Sequence, residues 1–398
     1  MMIQDIKQEI HSLKEEAIRL RRHFHMHPEL GFQEFKTSKI ICQFLESLGL
    51  EIQILAQTGV VGLLRGSQPG PTLLLRADMD ALPMEEAIAK PYKSVNKGIA
   101  HTCGHDAHVA MLLIAAKILS NHQNEINGNI KFVFQPNEET TDPRAGALEM
   151  IKNGVLENPK VDGAFALHIW TGIESGKIGI VNGAIMAGLE QFELIIYGKG
   201  GHTSAPHDAV DPILAASKIV DSVQVLTTRE ISVFNPNVIM FGKIQGGTGC
   251  NIIPGKVELA GTMRYLFDNE EQGKTLLKEK FERIIKGVCL ATGTHYELTY
   301  VPSNPCMNNV PEMVQKVKEA ARETLESEQS IVEYRAMGGE DFAEFTLRVP
   351  SAFYFVGTGN PDKGTDYPHH HPLFDIDEDT LLIGIEMHVR SALAYFNK

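Results

Sequence analysis

The stretch from Thr72 to Phe134 decides the fold, because two short apolar runs there enclose one long helical pattern. The first run is Thr72-Leu-Leu-Leu75, the helical pattern extends from Ala107 to Leu119, and the second run is Ile130-Lys-Phe-Val-Phe134. Strands separated by a helix of this length are joined by a crossover connection, which makes them parallel neighbours in one sheet. The stretch therefore predicts an α/β domain with a mainly parallel central sheet flanked by helices.

The pattern of the chain changes near Gly183, which indicates a second domain. Between Gln191 and Tyr300 the predicted order is strand, helix, strand, strand, helix, strand. That order is typical of a split β-α-β unit of the ferredoxin-like type. We therefore predict that residues 1–185 and 302–398 form the first domain, and that residues 186–301 form an inserted ferredoxin-like α+β domain.

Side chains that can bind metal ions lie where the predicted strands of the first domain end. Because the carboxyl ends of parallel strands meet at one edge of a sheet, we expect these side chains to lie close together. They are Asp78 and Asp80 after the first strand, Cys103, His105 and His108 before the helix, Glu138 and Glu139 after the second strand, and His168 after a strand that ends at Leu167.

This set of side chains predicts hydrolytic metal chemistry. Thiolate, imidazole and carboxylate ligands together favour zinc, manganese, cobalt or nickel over calcium or magnesium. A water molecule held between two such ions loses a proton near neutral pH, and a nearby carboxylate that is not a ligand serves as general base. Glu138 and Glu139 can supply one residue for each role. Each motif is weak alone, and their joint occurrence carries the prediction of two divalent metal ions.

The composition argues against several other classes of protein. A formal net charge of −13 disfavours nucleic acid and anionic membranes as partners, since both select basic surfaces. The sequence contains no apolar run of about eighteen residues, so we expect no membrane span. The five cysteines are odd in number and widely scattered, which is typical of a reducing compartment. The prediction is a cytoplasmic protein.

Further motifs follow one another along the chain in a fixed order. With them the chain resembles, nearly end to end, the dinuclear metallohydrolases of the aminoacylase and carboxypeptidase G family, within it the amidohydrolase branch of hippurate hydrolases, N-acetyl-diaminopimelate deacetylases and auxin-conjugate hydrolases. The motifs are Arg21-Arg-His-Phe-His-Met-His-Pro-Glu-Leu-Gly-Phe32, Arg76-Ala-Asp-Met-Asp-Ala-Leu-Pro83, Cys103-Gly-His-Asp106, Phe134-Gln-Pro-Asn-Glu-Glu139, Ala166-Leu-His168, Gly198-Lys-Gly-Gly-His202, Asn251-Ile-Ile-Pro254, Met337-Gly-Gly-Glu-Asp-Phe342 and His370-His-Pro-Leu-Phe-Asp375.

The resemblance implies five metal ligands. Cys103 would bridge the two ions, Glu139 and His370 would complete the site of one ion, and His105 and His168 would complete the site of the other. His370 matches the ligand because it stands two residues before Pro372. His369 and His371 remain alternatives at that position.

The resemblance also implies five catalytic and substrate-binding residues. Glu138 would be the general base, and Asp80 would orient a metal ligand. His202 would stabilise the oxyanion by reaching the active site of a partner chain, while Asn251 and Arg264 would bind the substrate. The chain departs from the branch at Asn137 and Thr102, where alanine is more usual, and neither departure removes a ligand or the base.

The predicted protein is a homodimer, associated through the inserted domain, which also closes over the site as a lid. Its predicted reaction is the hydrolysis of the amide bond of small N-acyl amino acids by a metal-activated water molecule. One alternative is a dipeptidase or carboxypeptidase, which uses the same chemistry on a different substrate. Another is a catalytically silent protein that binds metal ions for its structure.

Overall fold

A computed structural model describes residues 3–140, 145–302, 304–325 and 327–397 of the chain. The chain divides into two compact units. The larger unit comprises Met1–Ile185, Asn308–Arg335 and Asp341–Lys398, and the smaller unit comprises Met186–Met307 and Ala336–Glu340.

Helices and strands alternate along most of the described chain. The α-helices are α1 (Ile3–Ser12), α2 (Lys14–Met26), α3 (Phe35–Ser47), α4 (His105–Asn121), α5 (Gly146–Lys152), α6 (Pro212–Val225), α7 (Glu270–Thr292), α8 (Pro311–Thr324), α9 (Ala343–Thr346) and α10 (Thr380–Phe396). The strands are β1 (Glu51–Leu55), β2 (Gly59–Arg65), β3 (Gln68–Asp78), β4 (Asn127–Gln135), β5 (Gly163–Glu174), β6 (Ile178–Gly179), β7 (Gly183–Met186), β8 (Gly188–Tyr197), β9 (Gly201–His202), β10 (Asn237–Gly246), β11 (Ile252–Ile253), β12 (Lys256–Tyr265), β13 (His295–Pro302), β14 (Met307–Asn309), β15 (Ile331–Val332) and β16 (Ser351–Gly359).

The larger unit is built on one eight-stranded sheet with the order β1-β2-β4-β3-β5-β16-β6-β15. β3 lies parallel to both β4 and β5, and β5 lies parallel to β16. The antiparallel pairs are β1 with β2, β2 with β4, and β6 with β16. The prediction of a mainly parallel central sheet flanked by helices is therefore confirmed.

The helix α4 forms the centre of the larger unit's core. It packs against β3, α2 and α10, and residues such as Leu112, Leu113 and Ile114 are fully buried. A helix that is apolar around most of its circumference belongs in the interior of a domain. It begins after Gly104, whose φ of +90° is available to few residues other than glycine. This sharp turn lies between Cys103 and His105.

The strand β5 extends beyond its predicted end at Leu167 and continues to Glu174. Its pairing with β3 stops at Ala166, but its pairing with β16 continues past His168 to Trp170. The prediction that His168 follows the end of the strand is therefore wrong. His168 lies within β5, at the point where the strand loses one neighbour and keeps the other.

The smaller unit contains a four-stranded antiparallel sheet with the order β10-β12-β8-β13, accompanied by α6 and α7. Its core includes the buried ring of Phe192 on β8, which lies 4.8 Å from the ring of Phe281 on α7. The chain order β8-α6-β10-β12-α7-β13 and this strand order are those of the predicted ferredoxin-like α+β unit. In the described ranges, no helix has the length and apolar composition that crossing a membrane requires.

Candidate metal centre

The five predicted metal ligands of the larger unit lie close together. The donor atoms of Cys103, Glu139 and His370 are all within 4.8 Å of one another. His105 Nε2 lies 3.7 Å from Glu139 Oε1, and Cys103 Sγ lies 3.5 Å from His168 Nε2. These residues come from the turn before α4, the loop after β4, the interior of β5 and the loop after β16, so the fold brings distant parts of the sequence to one site.

The three consecutive histidines in the loop after β16 have different environments. His370 Nε2 lies 3.1 Å from Glu139 Oε1, and its backbone N–H donates to the Thr102 carbonyl at 2.8 Å. His369 donates through Nε2 to the Ile169 carbonyl, and the ring of His371 stacks on Tyr367. Among the three, His370 is the one that faces the carboxylate of Glu139.

Hydrogen bonds fix the orientation of two histidines in the cluster. His105 Nδ1 donates to the Asp80 carbonyl at 2.9 Å, and His168 Nδ1 donates to the Ile169 carbonyl at 2.6 Å. A neutral imidazole that donates from Nδ1 carries its lone pair on Nε2. In the neutral form, both rings would therefore offer the Nε2 lone pair to a metal ion, as metal-binding histidines do.

Asp80 lies between a ligand helix and the loop that carries Glu138 and Glu139. Its carboxylate accepts the backbone N–H of Glu139 at 3.0 Å, while its backbone carbonyl accepts from His105. These two hydrogen bonds connect the loop after β4 with the first turn of α4. Asp80 thus holds two of the predicted ligands in a fixed relation.

The cluster fits divalent cations chemically. His105 Nε2 is buried and has no hydrogen-bond partner among the described residues. Thiol, imidazole and carboxylate groups surround it, which is the mixture that Zn²⁺ and its neighbours in the first transition row prefer. A bound cation would satisfy this nitrogen and balance the charge of Glu139.

Charge and burial shift the pKa values of the cluster in opposite directions. Burial lowers the pKa of His105, but the charges of Asp78, Asp80 and Glu139 outweigh it and raise the pKa to about 10. Burial and the charges of Glu139 and Glu138 raise the pKa of the Cys103 thiol well above its usual value. Without a cation, His105 is therefore protonated on both ring nitrogens at neutral pH, and Cys103 is a neutral thiol.

A second buried network lies behind the ligands. It contains Asp78 and His108, which the sequence marked only as metal-capable, and Arg76 and Asp341, to which the sequence assigned no role. Asp78 accepts from Arg76 at 2.5 Å and from His108 Nδ1 at 2.6 Å. His108 Nε2 accepts the Ile169 N–H at 3.0 Å, so the proton of His108 is on Nδ1. Arg76 also pairs with Asp341. The alternation of Arg76 and Asp78 at the end of β3, which Asp80 continues just beyond the strand, is the signal that could have identified this network.

Arg21 links two segments that carry ligands. Its guanidinium, which is fully buried, donates to Asp106 at 2.8 Å and to Asp375 at 2.9 Å. Asp106 directly follows His105, and Asp375 lies in the loop that contains His370. Removing one partner of a buried ion pair costs about 3–5 kcal/mol, so this pairing holds the two segments firmly.

The smaller unit contains the other three predicted site residues. The Thr203 N–H donates to the Asn251 carbonyl at 3.3 Å, and Ile252 pairs with His202, so Asn251 and His202 are neighbours. Arg264 lies on β12, where its guanidinium donates to the Met337 carbonyl at 3.0 Å.

The class of protein follows from the fold and the cluster. A mainly parallel α/β sheet carries thiol, imidazole and carboxylate groups at its carboxyl edge, where ligands of such sheets bind. A buried carboxylate, Glu138, stands beside donors that suit divalent cations. These features together are those of a metal-dependent hydrolase.

Comparison with known proteins identifies the family. The model of Peptidase family M20/M25/M40 matches residues 74–394. Thermostable carboxypeptidase 1 of Saccharolobus solfataricus is 38% identical over 401 residues, which cover 100% of each chain. N-acyl-L-amino acid amidohydrolase of Geobacillus stearothermophilus is 40% identical over 301 residues, covering 75% of this chain and 80% of the relative. A dinuclear metal binding peptidase of the M20 family from Bacillus subtilis has a similar structure, with a TM-score of 0.84 at 31% identity, covering 97% of this chain and 99% of that chain.

The chain belongs to the M20/M25/M40 peptidase family, as the resemblance of its motifs implied. It is a hydrolase that acts on amide bonds and uses divalent metal ions. The alternative of a catalytically silent metal-binding protein is thereby removed.

Metal binding should release protons from this cluster. At pH 7 in the metal-free protein, His105 carries a second ring proton on Nε2, besides the one on Nδ1, and Cys103 is a neutral thiol. The Nε2 proton and the thiol proton must leave before these atoms can bind a cation. We expect about two protons to be released per chain when the site fills, and a metal affinity that rises between pH 6 and pH 8. Titration calorimetry in two buffers that differ in ionisation enthalpy measures the number released.

The matched control is Cys103→Ser, whose hydroxyl carries a proton that a metal ion does not need to displace in this pH range. This variant should release about one proton fewer. A binding heat that does not depend on the buffer would contradict the protonation states given above.

Proposed function

We propose that the chain hydrolyses the amide bond of N-acyl amino acids, with two divalent metal ions and Glu138 as general base. The position of Glu138 carries this proposal. Glu138 as a residue is 9% exposed, and its carboxylate has an oxygen within 4.8 Å of donor atoms of His105 and Glu139. A general base must stand beside the attacking water molecule without being consumed as a ligand. The similarity to an N-acyl-L-amino acid amidohydrolase supports the substrate class.

The proposed metal ligands are the five residues of the cluster. Cys103 would bridge the ions, with His105 and His168 on one ion and Glu139 and His370 on the other. The donor set favours zinc, manganese, cobalt or nickel. When bound, two such ions would polarise the amide carbonyl and lower the pKa of a water molecule.

The proton transfers would be performed by Glu138. It would take a proton from the attacking water molecule and then deliver that proton to the nitrogen of the leaving amine. The backbone N–H of Asp341 donates to Glu138 Oε1 at 3.4 Å, which limits the rotation of the carboxylate. Asp80 would act through His105 and Glu139, since it contacts both of them.

Three residues of the smaller unit would bind the substrate. His202 Nδ1 accepts the Ser204 N–H at 3.1 Å, so in the neutral ring the proton is on Nε2. An Nε2–H donor suits the proposed role of His202, the stabilisation of an oxyanion in the partner's active site. Asn251 and Arg264 would bind the α-carboxylate of the amino acid, which a planar guanidinium can bind with two hydrogen bonds.

A second candidate function is carboxypeptidase or dipeptidase activity. It is favoured by the full-length similarity to a protein named thermostable carboxypeptidase. Both functions break an amide bond beside a free carboxylate, so the metal centre serves either equally. They differ in whether the preferred substrate carries an acyl group or a free amino group at its other end.

We also propose that the chain forms a homodimer in the cytoplasm. β10 is the outermost strand of the smaller unit's sheet in the described order, and its apolar side chains Val238, Met240 and Ile244 are 38%, 59% and 60% exposed. An edge strand with exposed apolar residues favours pairing with another chain, most simply its own copy. The five cysteines are all free thiols, which agrees with a reducing compartment.

The reaction class is tested by amine release from N-acetyl, N-benzoyl and longer-acyl L-amino acids, together with dipeptides and short peptides. We expect hydrolysis of N-acyl amino acids that depends on added zinc, manganese, cobalt or nickel and is lost with a chelator. A clear preference for substrates with a free amino group would favour the dipeptidase. Release of free carboxyl-terminal residues from longer peptides would favour the carboxypeptidase.

Replacing Glu138 separates catalysis from metal binding. The Glu138→Gln variant keeps the shape of the side chain but cannot accept a proton, so kcat should fall by about 10²–10⁴ while both ions still bind. Metal analysis counts the ions. The fluorescence of Trp170, the single tryptophan, should report their arrival because its ring lies 5.6 Å from that of His168.

The control for this variant is Glu386→Gln, which alters a buried carboxylate of α10 that pairs with Arg390. It should keep the wild-type kcat. Near-normal turnover in Glu138→Gln would rule out Glu138 as the base, and loss of metal would show that Glu138 is a ligand.

The dimer is tested by light scattering after size-exclusion chromatography. The measured molar mass of the wild-type protein should be twice 44.0 kDa. The Met240→Lys variant should have a mass closer to that of the monomer, because the lysine would place a buried charge in the interface. Leu290→Lys changes an apolar residue of α7 that is 85% exposed and should leave the mass unchanged. A monomeric wild-type protein, or a dimeric Met240→Lys variant, would contradict the proposed interface.

A further inference from the structure

The segment between α2 and α3, residues 29–34, lies beside both loops that flank the metal cluster. The Ala81 N–H donates to the Glu29 carbonyl at 2.9 Å, next to Asp80. The Glu29 carboxylate also accepts the N–H groups of Lys36 and Thr37 at 3.0 and 2.9 Å, which caps the start of α3. Because Glu29 supplies the cap, the side chain of the last residue before α3, Glu34, is free to point elsewhere.

Glu34 points into the protein and contacts the loop of the general base. It is fully buried, with Oε1 accepting the Asn137 N–H at 3.0 Å and Oε2 accepting the Thr58 hydroxyl at 2.7 Å. A buried carboxylate that reaches across about one hundred residues of sequence to one backbone N–H fixes that backbone. The backbone it fixes directly precedes Glu138.

Asn137 has an unusual backbone conformation that needs such support. Its φ is +53°, in the left-handed region, which asparagine enters more readily than alanine. This accounts physically for the departure from alanine seen in the sequence. The carbonyl of Asn137 accepts the Gly146 N–H at 3.1 Å. Its side chain occupies the space where Gly31 has no Cβ, since an added Cβ would lie 1.9 Å from Asn137 Oδ1.

We propose that Glu34 and Gly31 form a clamp on Asn137 that positions Glu138 for proton transfer. This inference rests on the proposed function, in which Glu138 is the general base. The backbone dihedral angles of Asn137 set the direction in which the chain presents Glu138, and a general base works only within about 2.6–3.2 Å of the proton that it takes. Glu34 is thus a positioning residue, which acts through Asn137.

The clamp needs a hydrogen-bond acceptor more than a negative charge at Glu34. Burial and the charge of Asp80 raise the pKa of Glu34 to about 7, so a neutral side chain is readily accommodated there. Glutamine keeps an oxygen for the Asn137 N–H and an amide group for the Thr58 hydroxyl. Alanine keeps neither.

The first test compares Glu34→Ala with Glu34→Gln in the metal-loaded enzyme. In Glu34→Ala we expect kcat to fall by about 10- to 100-fold, with KM within about threefold of wild type and two metal ions retained. Glu34→Gln should recover at least about a third of the wild-type kcat. Glu386→Ala, which removes a buried carboxylate elsewhere, should lower the melting temperature without lowering kcat.

The second test perturbs the same loop by substituting Gly31, while Glu34 stays unchanged. Gly31→Ala places a methyl group against the side chain of Asn137, so kcat should fall. Asn137→Gly removes that side chain and adopts a positive φ without strain. The double variant Gly31→Ala/Asn137→Gly should therefore recover the kcat of Asn137→Gly alone.

Hydrogen–deuterium exchange of the peptide around residues 135–140 tests the clamp independently of activity. Exchange should be faster in Glu34→Ala than in wild type or Glu34→Gln. Wild-type exchange and kcat in Glu34→Ala would overturn the clamp, as would a Glu34→Gln variant as impaired as Glu34→Ala or a double variant that shows no rescue. If wild-type enzyme hydrolysed no amide in the substrate panel, the proposed function would fail, and the exchange result would still decide on the clamp.

Discussion

The arrangement of the larger unit depends on the charge of four carboxylates held at one edge of its sheet, those of Asp78, Asp80, Glu138 and Glu139. Leaving a buried charge without a partner costs several kcal/mol, so each needs a cation or a hydrogen-bond donor. Arg76 and His108 serve Asp78, and backbone N–H groups serve Asp80 and Glu138. Glu139 lies beside the imidazoles of His105 and His370 and the thiol of Cys103, all of which can bind a metal ion, so its surroundings suit a divalent cation.

The precision of this site comes from the elements that carry it. Some ligands lie at the start of a buried helix or within a paired strand. These ligands keep their positions, because moving them would disturb the packing of the core. The loops are less constrained by themselves, and each is tied down by a specific contact. The Thr102 carbonyl holds the backbone of His370, Arg21 holds the segment around Asp375, and Asp80 together with Glu34 holds the loop after β4.

The two units have different proposed roles, one in catalysis and the other in substrate recognition. The larger unit contains the proposed metal ligands and the proposed general base, and these groups would act in the same way whatever lies at either end of the scissile bond. Family members named as a carboxypeptidase and as an amidohydrolase resemble this chain to a similar degree, at 38% and 40% identity. The choice of substrate must therefore depend on side chains outside the cluster, and His202, Asn251 and Arg264 of the smaller unit are the proposed ones.

The sequence by itself determined the fold class, the ferredoxin-like unit and the set of metal-capable residues, because apolar periodicity and the residue types after each strand are local properties. It did not determine the extent of β5, since the continuation past Leu167 depends on pairing with β16, nearly two hundred residues away. It left His369, His370 and His371 as alternatives, and only the tertiary structure distinguished their surroundings. The roles of Arg76, Asp341 and Glu34 also required the structure, because their partners are distant in sequence and a buried ion pair or carboxylate leaves no periodic pattern. Only the tertiary structure decided which polar groups come into contact, because strand register and packing determine those contacts.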